Sequence, residues 1–424
     1  MSRLRGCVKW GCWVCLAFGF VKAATGDELS ILGWWGIPEN KVSIERYQEA
    51  REAGFTALMQ AASSAEKMRG FLDMAQRAGI KLSVSLPEFD EAAISLLKDH
   101  PALMMWHVKD EPKYKDFETV AKTIRRIDAV DGRHPCYVNH IADASVSMGV
   151  PDYSAYMERV LREFKPRLIS ADFYPCRLAD TTRALPYRDV GSEVYVCPTW
   201  YRQLEYLSGL ARRERLPLAL FACDVAHNVI DYVYPVPTVA MLRLQMYSNL
   251  AYGARMLQYF TYWNPYSKTR LKFHESIIRE DGTRSPVYDR VRDVNRELQA
   301  RAFVFMGAEL VSVAHTGAEI PIGTKRLEKL PPFVRSLNTP DGGAVVAQFD
   351  GKTFNALVVV NRSPVKEMHL SIALDESAIR ILDDGTKVPA SAYGGAYTLS
   401  PGSAEIFVVK PAGAKTIGDH TEPL

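Results

Sequence analysis

The chain has 424 residues, 47% hydrophobic and 24% charged, with a formal net charge of +3. That balance excludes a disordered or collagen-like polymer and suits two globular domains with cores of ordinary size. The positive excess sits in residues 1–23, where Arg3, Arg5, Lys9 and Lys22 meet no acid; without those four charges the net falls to −1. A nucleic-acid-binding surface is therefore not expected.

Residues 1–23 read as an export signal, with a basic start, an apolar run over 11–21 and a small-residue cleavage site at Val21-Lys22-Ala23. The run is too short for a stable anchor, so a secreted or periplasmic protein without membrane insertion is expected. Cys136, Cys176, Cys197 and Cys223 follow, with no CxxC spacing among them. A Cys176–Cys197 disulfide and a set of free thiols both remain open.

Eight short apolar runs then recur, at 31–35, 55–60, 81–86, 104–108, 136–140, 168–173, 218–223 and 256–262. Amphipathic stretches at 44–53, 65–78, 120–127, 153–164, 238–252 and 287–305 read as helices, with Gly79 as a C-cap. Strands alternating with helices predict a parallel sheet, and eight such units in about 280 residues match a closed (β/α)8 TIM barrel. The barrel is expected over 24–307. An open doubly wound sheet fits less well, because Trp34-Trp35-Gly36-Ile37-Pro38 stands where a glycine-rich phosphate turn would be.

After Gly307 the pattern turns to short alternating runs at 333–337, 344–349, 355–360, 368–373, 397–399 and 404–409. Asp341-Gly342-Gly343 and Asp384-Gly385 supply turn chemistry between them. An antiparallel β-sandwich over 308–410 is expected, followed by a loose tail over 411–424.

A barrel of this type carries its site at the C-terminal ends of its strands. The fourth run ends Met104-Met105-Trp106-His107-Val108-Lys109-Asp110-Glu111-Pro112. Glycoside hydrolysis needs one protonated and one ionised carboxyl, and adjacent acids in a barrel mouth can hold such states. The competing reading is that Asp110 and Glu111 cap the next helix. The sixth run ends with Asp172 before Phe173-Tyr174-Pro175, so Asp172 is either a second functional carboxylate or a residue tying down the strand that ends in Asn139 and His140.

This constellation resembles the clan A barrel glycosidases, which include the family 42 β-galactosidases and carry Asn-Glu-Pro at the end of the fourth strand. The resemblance covers roughly residues 30–307 and rests on Trp106 and Asp110-Glu111-Pro112. It implies that Glu111 is the acid/base and that Asp110 stands in place of the sugar-holding Asn. It also implies that Trp263, after the eighth run, floors the subsite of the cleaved sugar, by stacking of the kind aromatic rings favour; a buried rim residue is the alternative. Trp34 and Trp35 invite the same stacking role. The clan's seventh-strand nucleophilic Glu has no counterpart in Leu218-Ala219-Leu220-Phe221-Ala222-Cys223-Asp224-Val225-Ala226-His227. Asp224 is the carboxylate nearest to it.

The expected function is therefore hydrolysis of a β-linked sugar, β-galactosidase-like by resemblance, in an oligo- or polysaccharide substrate. Glu111 is the acid, Asp110 and Asp172 are candidate partners, and Trp35, Asn139, Tyr174, Asp224, His227 and Trp263 shape the pocket. Attack by Asp224 predicts retention with carboxyls about 5–5.5 Å apart, whereas water activated by Asp172 predicts inversion across about 6.5–9.5 Å. His274-Glu275 lacks the second His of a zinc motif, there is no Gly-x-Ser-x-Gly, and no metal or organic cofactor is expected. The competing class is a carbohydrate-binding barrel that has lost its nucleophile.

Overall fold

A computed structural model describes residues 28–142, 152–178, 194–223, 227–229, 232–265, 273 and 275–411, with backbone alone at 222–223, 227–229 and 232–233. The expected export signal at 1–23 and Asp224 lie outside the described residues, as does the tail beyond Pro411.

Eight parallel strands close into a barrel. In order around it they are β1 (Ser30–Gly33), β2 (Ala57–Ala61), β3 (Lys81–Ser85), β4 (Leu103–Asp110), β5 (Cys136–His140), β6 (Ile169–Ala171), β9 (Leu218–Cys223) and β12 (Ala254–Tyr259). Each coincides with one of the eight apolar runs. Two short hairpins interrupt the alternation: β7 (Cys176–Leu178) with β8 (Val194–Val196) after β6, and β10 (His227–Val229) with β11 (Tyr232–Tyr234) after β9. Cys136, Cys176 and Cys197 are free thiols, so the Cys176–Cys197 bridge is not formed.

The helices are α1 (Ile44–Glu52), α2 (Ala65–Arg77), α3 (Glu91–Leu97), α4 (Phe117–Val130), α5 (Tyr153–Phe164), α6 (Trp200–Glu214), α7 (Val239–Ala251), α8 (Pro286–Ala300) and α9 (Ala302–Met306). Their starts follow from local chemistry. Ser43, Ser64, Asp90, Asp152 and Thr238 each accept the backbone N–H three residues on, satisfying a donor that the first turn leaves free. Ser285 caps α8 ahead of Pro286. The stretch read as one helix over 287–305 is two, broken at Arg301.

Two apolar layers hold the barrel. Leu82, Val84, Trp106 and Ile169 face outward into the helix layer, while Leu32, Trp34, Met105, Tyr137, Leu168, Phe221 and Met256 fill the interior. The barrel is thus a packed core, as alternation along each strand requires.

The C-terminal region is a β-sandwich. One sheet has the order β13 (Ala308–His315), β15 (Ala344–Gly351), β16 (Asn355–Asn361), β21 (Ala404–Val409), β18 (Ile379–Ile381), β19 (Lys387–Pro389). The other is β14 (Val334–Asn338), β17 (Met368–Leu374), β20 (Ala396–Leu399). Val346, Leu357, Val359, Leu370, Ile372 and Phe407 pack between the sheets. The outer face of the larger sheet, through Val345, Ala347, Val358, Val360 and Ile406, joins the barrel's helix layer. Helix α7 lies in that seam, and every residue from Leu244 to Ala251 is buried, as expected of a helix with neighbours on both sides.

Arg301 fastens the seam. It is 2% exposed and donates to Leu382 O (2.9 Å), Ala404 O and Ile381 O (both 3.2 Å), the Tyr247 hydroxyl (2.8 Å) and the Asp383 carboxylate. Replacing it with Met strands the buried carbonyls among them, an effect of about 3 kcal/mol. Arg301→Met should therefore lower Tm by several degrees and let the sandwich melt before the barrel in calorimetry. An unchanged single transition would show that apolar packing alone carries the docking.

Candidate active site

The site begins with the way β4 ends. Glu111 follows the last residue of the strand in the left-handed region (φ 43°), which turns the chain outward at the barrel mouth. Its amide donates to Asn139 O (2.9 Å). On the other side of β5 the Asp172 amide donates to His140 O (3.5 Å), and Gln203 on α6 holds the Asp172 carbonyl (2.9 Å). The two acids hang from consecutive carbonyls of one strand end. Helix α4 does not use them: the turn before it is closed by Asp116, whose carboxylate accepts the Lys113 amide (2.9 Å). The capping reading of Asp110 and Glu111 is thereby removed.

Asp110 is anchored from below. Asn139 donates to it through Nδ2 (3.1 Å) and accepts the Ser170 hydroxyl through Oδ1 (2.9 Å). Gln258 Nε2 donates to Ser170 Oγ (2.9 Å), and the Tyr137 hydroxyl donates to Gln258 Oε1. Trp34 Nε1 closes the chain, 3.2 Å from Tyr137 Oη and 3.1 Å from Gln258 Oε1. Asn139, expected to contact substrate, is 1% exposed and spends its amide on Asp110 and Ser170. Gln258, Tyr137 and Ser170 went unnoticed in the sequence because polar residues inside apolar runs carry no periodic signal of their own.

Burial controls the charges. It pushes Glu111 up to about 7, aided by the negative Asp110, while Asp172 and the nearby Lys113 pull the other way. Asp172 is raised well above the carboxylate range, first by burial and then by Glu111 and Asp110. Asp110 is raised too, chiefly by burial, with Asn139 opposing. Glu111 and Asp172 act on each other's charge.

Aromatic rings wall the mouth. Trp35 (φ 46°) projects from the end of β1 and is 39% exposed. The turn is tight: the Gly36 amide donates to Met59 O (3.0 Å), and a Cβ at Gly36 would lie 2.3 Å from that oxygen. Below Trp35 lies Phe260, 6.2 Å between centroids, which in turn meets Tyr174 (6.0 Å) and Phe273 (5.9 Å). Tyr174 opposes the rise of Asp172. Trp263 is elsewhere: it is 3% exposed, lies beneath the Arg46 guanidinium (5.3 Å) and abuts Gly282. The ring that the end of β12 presents at the mouth is Phe260, two residues beyond the inward-facing Gln258, so strand alternation already pointed to it. Trp106 faces outward and donates to Asp131 (2.8 Å). His227 lies in β10, where the backbone alone is described.

His107 was also passed over. Its ring packs edge-on to Trp34 (5.0 Å) and near Tyr137 (5.6 Å), with neither nitrogen hydrogen-bonded. Burial lowers it to about 4, with Lys109 adding to the effect, so it is neutral at physiological pH.

No known family description matches the sequence, and no curated protein matches it. Solved structures do. A GH42 β-galactosidase from G. stearothermophilus superposes with a TM-score of 0.60 at 9% identity, over 91% of this chain and 98% of that one. The β-galactosidase from Bacillus circulans sp. alkalophilus gives 0.58 at 11%, over 90% and 99%. A glycoside hydrolase family 5 protein from Bacteroides vulgatus gives 0.52 at 12%, over 92% and 90%. At such identities the likeness is one of fold, and it extends through barrel and sandwich together.

The raised acid makes a stability prediction. Below its unfolded value of 4.5, Glu111 is protonated in both states and costs nothing. Between 4.5 and about 7 the unfolded chain ionises first, so folding loses stability as pH rises, and the full cost remains above that range. Glu111→Gln should raise Tm by a few degrees at pH 8, on the order of 1–2 kcal/mol, with the gain vanishing near pH 4. Equal Tm values at both pH values would mean that Glu111 ionises freely.

Proposed function

We propose that the protein is a glycoside hydrolase acting on a β-linked sugar, with Glu111 as the general acid. The observation that carries this is a glutamate at the end of a barrel strand, kept protonable near neutrality by burial beneath an aromatic-walled mouth. A leaving glycosidic oxygen needs a proton from a group whose acidity matches the working pH. Glu111 supplies one; an exposed glutamate would already have lost it.

Trp35, Phe260 and Tyr174 offer ring faces on which the C–H side of a sugar can stack. The barrel and sandwich arrangement shared with β-galactosidases supports the same reading, and a β-galactoside is the first substrate to try. The second carboxylate is Asp172, Asp110 (held by Asn139) or Asp224 beyond β9. Proton NMR of the first-formed anomer separates Asp224 from the other two: a covalent intermediate on Asp224 gives retention, and water activated by Asp172 or Asp110 gives inversion.

A panel of chromogenic glycosides tests the proposal directly, and binding without turnover across the panel would favour the carbohydrate-binding reading instead. Glu111→Gln should reduce kcat/KM on a natural linkage by roughly 10²–10⁴-fold and spare aryl glycosides with acidic leaving groups in the glycosylation step. In the native enzyme kcat/KM should fall as pH rises past about 7, because the acid is then ionised. Near-normal turnover by Glu111→Gln would remove Glu111 from the role. Trp35→Ala should raise KM about tenfold and leave kcat within about twofold, as expected for loss of stacking made equally in ground and transition states.

A further inference from the structure

The turn that presents Glu111 is an unfavourable one. A residue before proline is normally extended, and a residue with a Cβ rarely enters the left-handed region. Glu111 precedes Pro112 and has φ 43°. Such a conformation persists only where its surroundings hold it. On the strand side the Glu111 amide donates to Asn139 O (2.9 Å). On the helix side Lys113 and Asp116 close the next turn on each other, through Lys113 N to Asp116 Oδ2 (2.9 Å) and Asp116 N to Lys113 O (2.8 Å). Pro112 stands between these two ties and has no N–H to give. Its carbonyl is the one hydrogen-bonding group it offers, and the Tyr156 hydroxyl of α5 donates to it (2.9 Å).

Tyr156 is itself firmly placed. It is buried, and its ring packs against Tyr114 (5.8 Å) and edge-on to Phe117 (5.4 Å), both of which follow the turn closely in the chain. His140, the last residue of β5, reaches the same hydroxyl with Nδ1 (3.5 Å). One tyrosine oxygen thus meets both the exit of β4 and the end of β5. Burial raises the hydroxyl above its ordinary value, so it stays a neutral donor across the working range.

We propose that Tyr156 is a positioning residue for Glu111, whose hydroxyl, by holding the Pro112 carbonyl, keeps the acid in its left-handed turn and under cover. It acts from behind the turn and not on the substrate. The catalytic consequence rests on Glu111 being the general acid; the hold on the turn does not. Proton delivery depends on placement, and a shift of about 1 Å can cost on the order of 10²-fold in rate. A loosened turn also admits water to a carboxyl whose acidity is set first by burial.

Tyr156→Phe keeps the ring and removes one donor. On a natural linkage its kcat should fall about 10- to 50-fold, with KM within about twofold of native. On an aryl glycoside with an acidic leaving group, whose departure needs no proton, the glycosylation step should lose less than about threefold. The alkaline limb of kcat/KM should move below about 7, because hydration returns Glu111 towards its ordinary 4.5. Tyr153→Phe, at the neighbouring ring on the same helix (6.2 Å), should change neither the limb nor the ratio between substrates. Equal losses on both substrates, an unmoved limb, or the same changes in Tyr153→Phe would make Tyr156 a packing residue alone and overturn the proposal. Failure of Tyr156→Phe to fold would do the same, since the hydroxyl would then serve the whole fold. A further reading needs no turnover: the gain in Tm that Glu111→Gln gives at pH 8 should shrink by at least about half in the Tyr156→Phe background. Should the native protein cleave no glycoside, the reading of Glu111 as a glycosidase acid fails, while an undiminished Tm gain is what would overturn the hold of Tyr156 on Glu111.

Discussion

A chain of hydrogen bonds crosses the closed barrel from Trp34 through Tyr137, Gln258, Ser170 and Asn139 to Asp110. It links β1, β5, β12, β6 and β4, so five of the eight barrel strands are held in mutual register by polar contacts as well as by their ladders. Buried polar groups are costly unless satisfied, and here each member satisfies the next. The apolar plug of Leu32, Met105, Leu168 and Phe221 around the chain keeps water out, which strengthens every link. At its upper end this chain fixes the geometry of the acidic cluster.

The cluster opposes stability. Three carboxyls, Asp110, Glu111 and Asp172, meet where protein crowds them, and all three are displaced upward. A fold would not collect them for packing. It tolerates them because β5 holds two by their backbones, Asn139 holds the third by its side chain, and protons replace part of the charge. Displaced acids in a cleft mark chemistry more often than structure. The sandwich stands apart from this: it packs on the side of the barrel, through α7, α9, Arg301 and the α6 residues Glu205 and Arg212.

Much of the fold was legible in the sequence. The eight apolar runs became the eight barrel strands because a strand buried on both faces reads as a short apolar block. Of the six runs after Gly307, those of β17 and β20 alternate over one buried face, while those of β16 and β21, between the other sheet and the barrel's helices, are buried on both. What escaped was short or lacked contrast: helix α3 spans seven residues, and β18 and β19 span three each. Helix α6, although long, begins in Trp200-Tyr201 and hides its N-terminus without a side-chain cap.

By itself the sequence determined the architecture and put Asp110 and Glu111 at the end of a barrel strand. Hydrophobic periodicity specifies which faces are buried, and a barrel's topology then sends the residues at strand ends to one mouth. Tertiary structure decided the company that each residue keeps. Trp263 and Phe260 lie three positions apart, yet one is sealed under Arg46 and the other faces Trp35 and Tyr174, because the chain leaves β12 between them. Asp172 and Glu111 are 61 residues apart in number, and they come together because the ends of two strands dock on consecutive carbonyls of a third. Periodicity encodes faces, not partners; partners follow from how those faces close around one another.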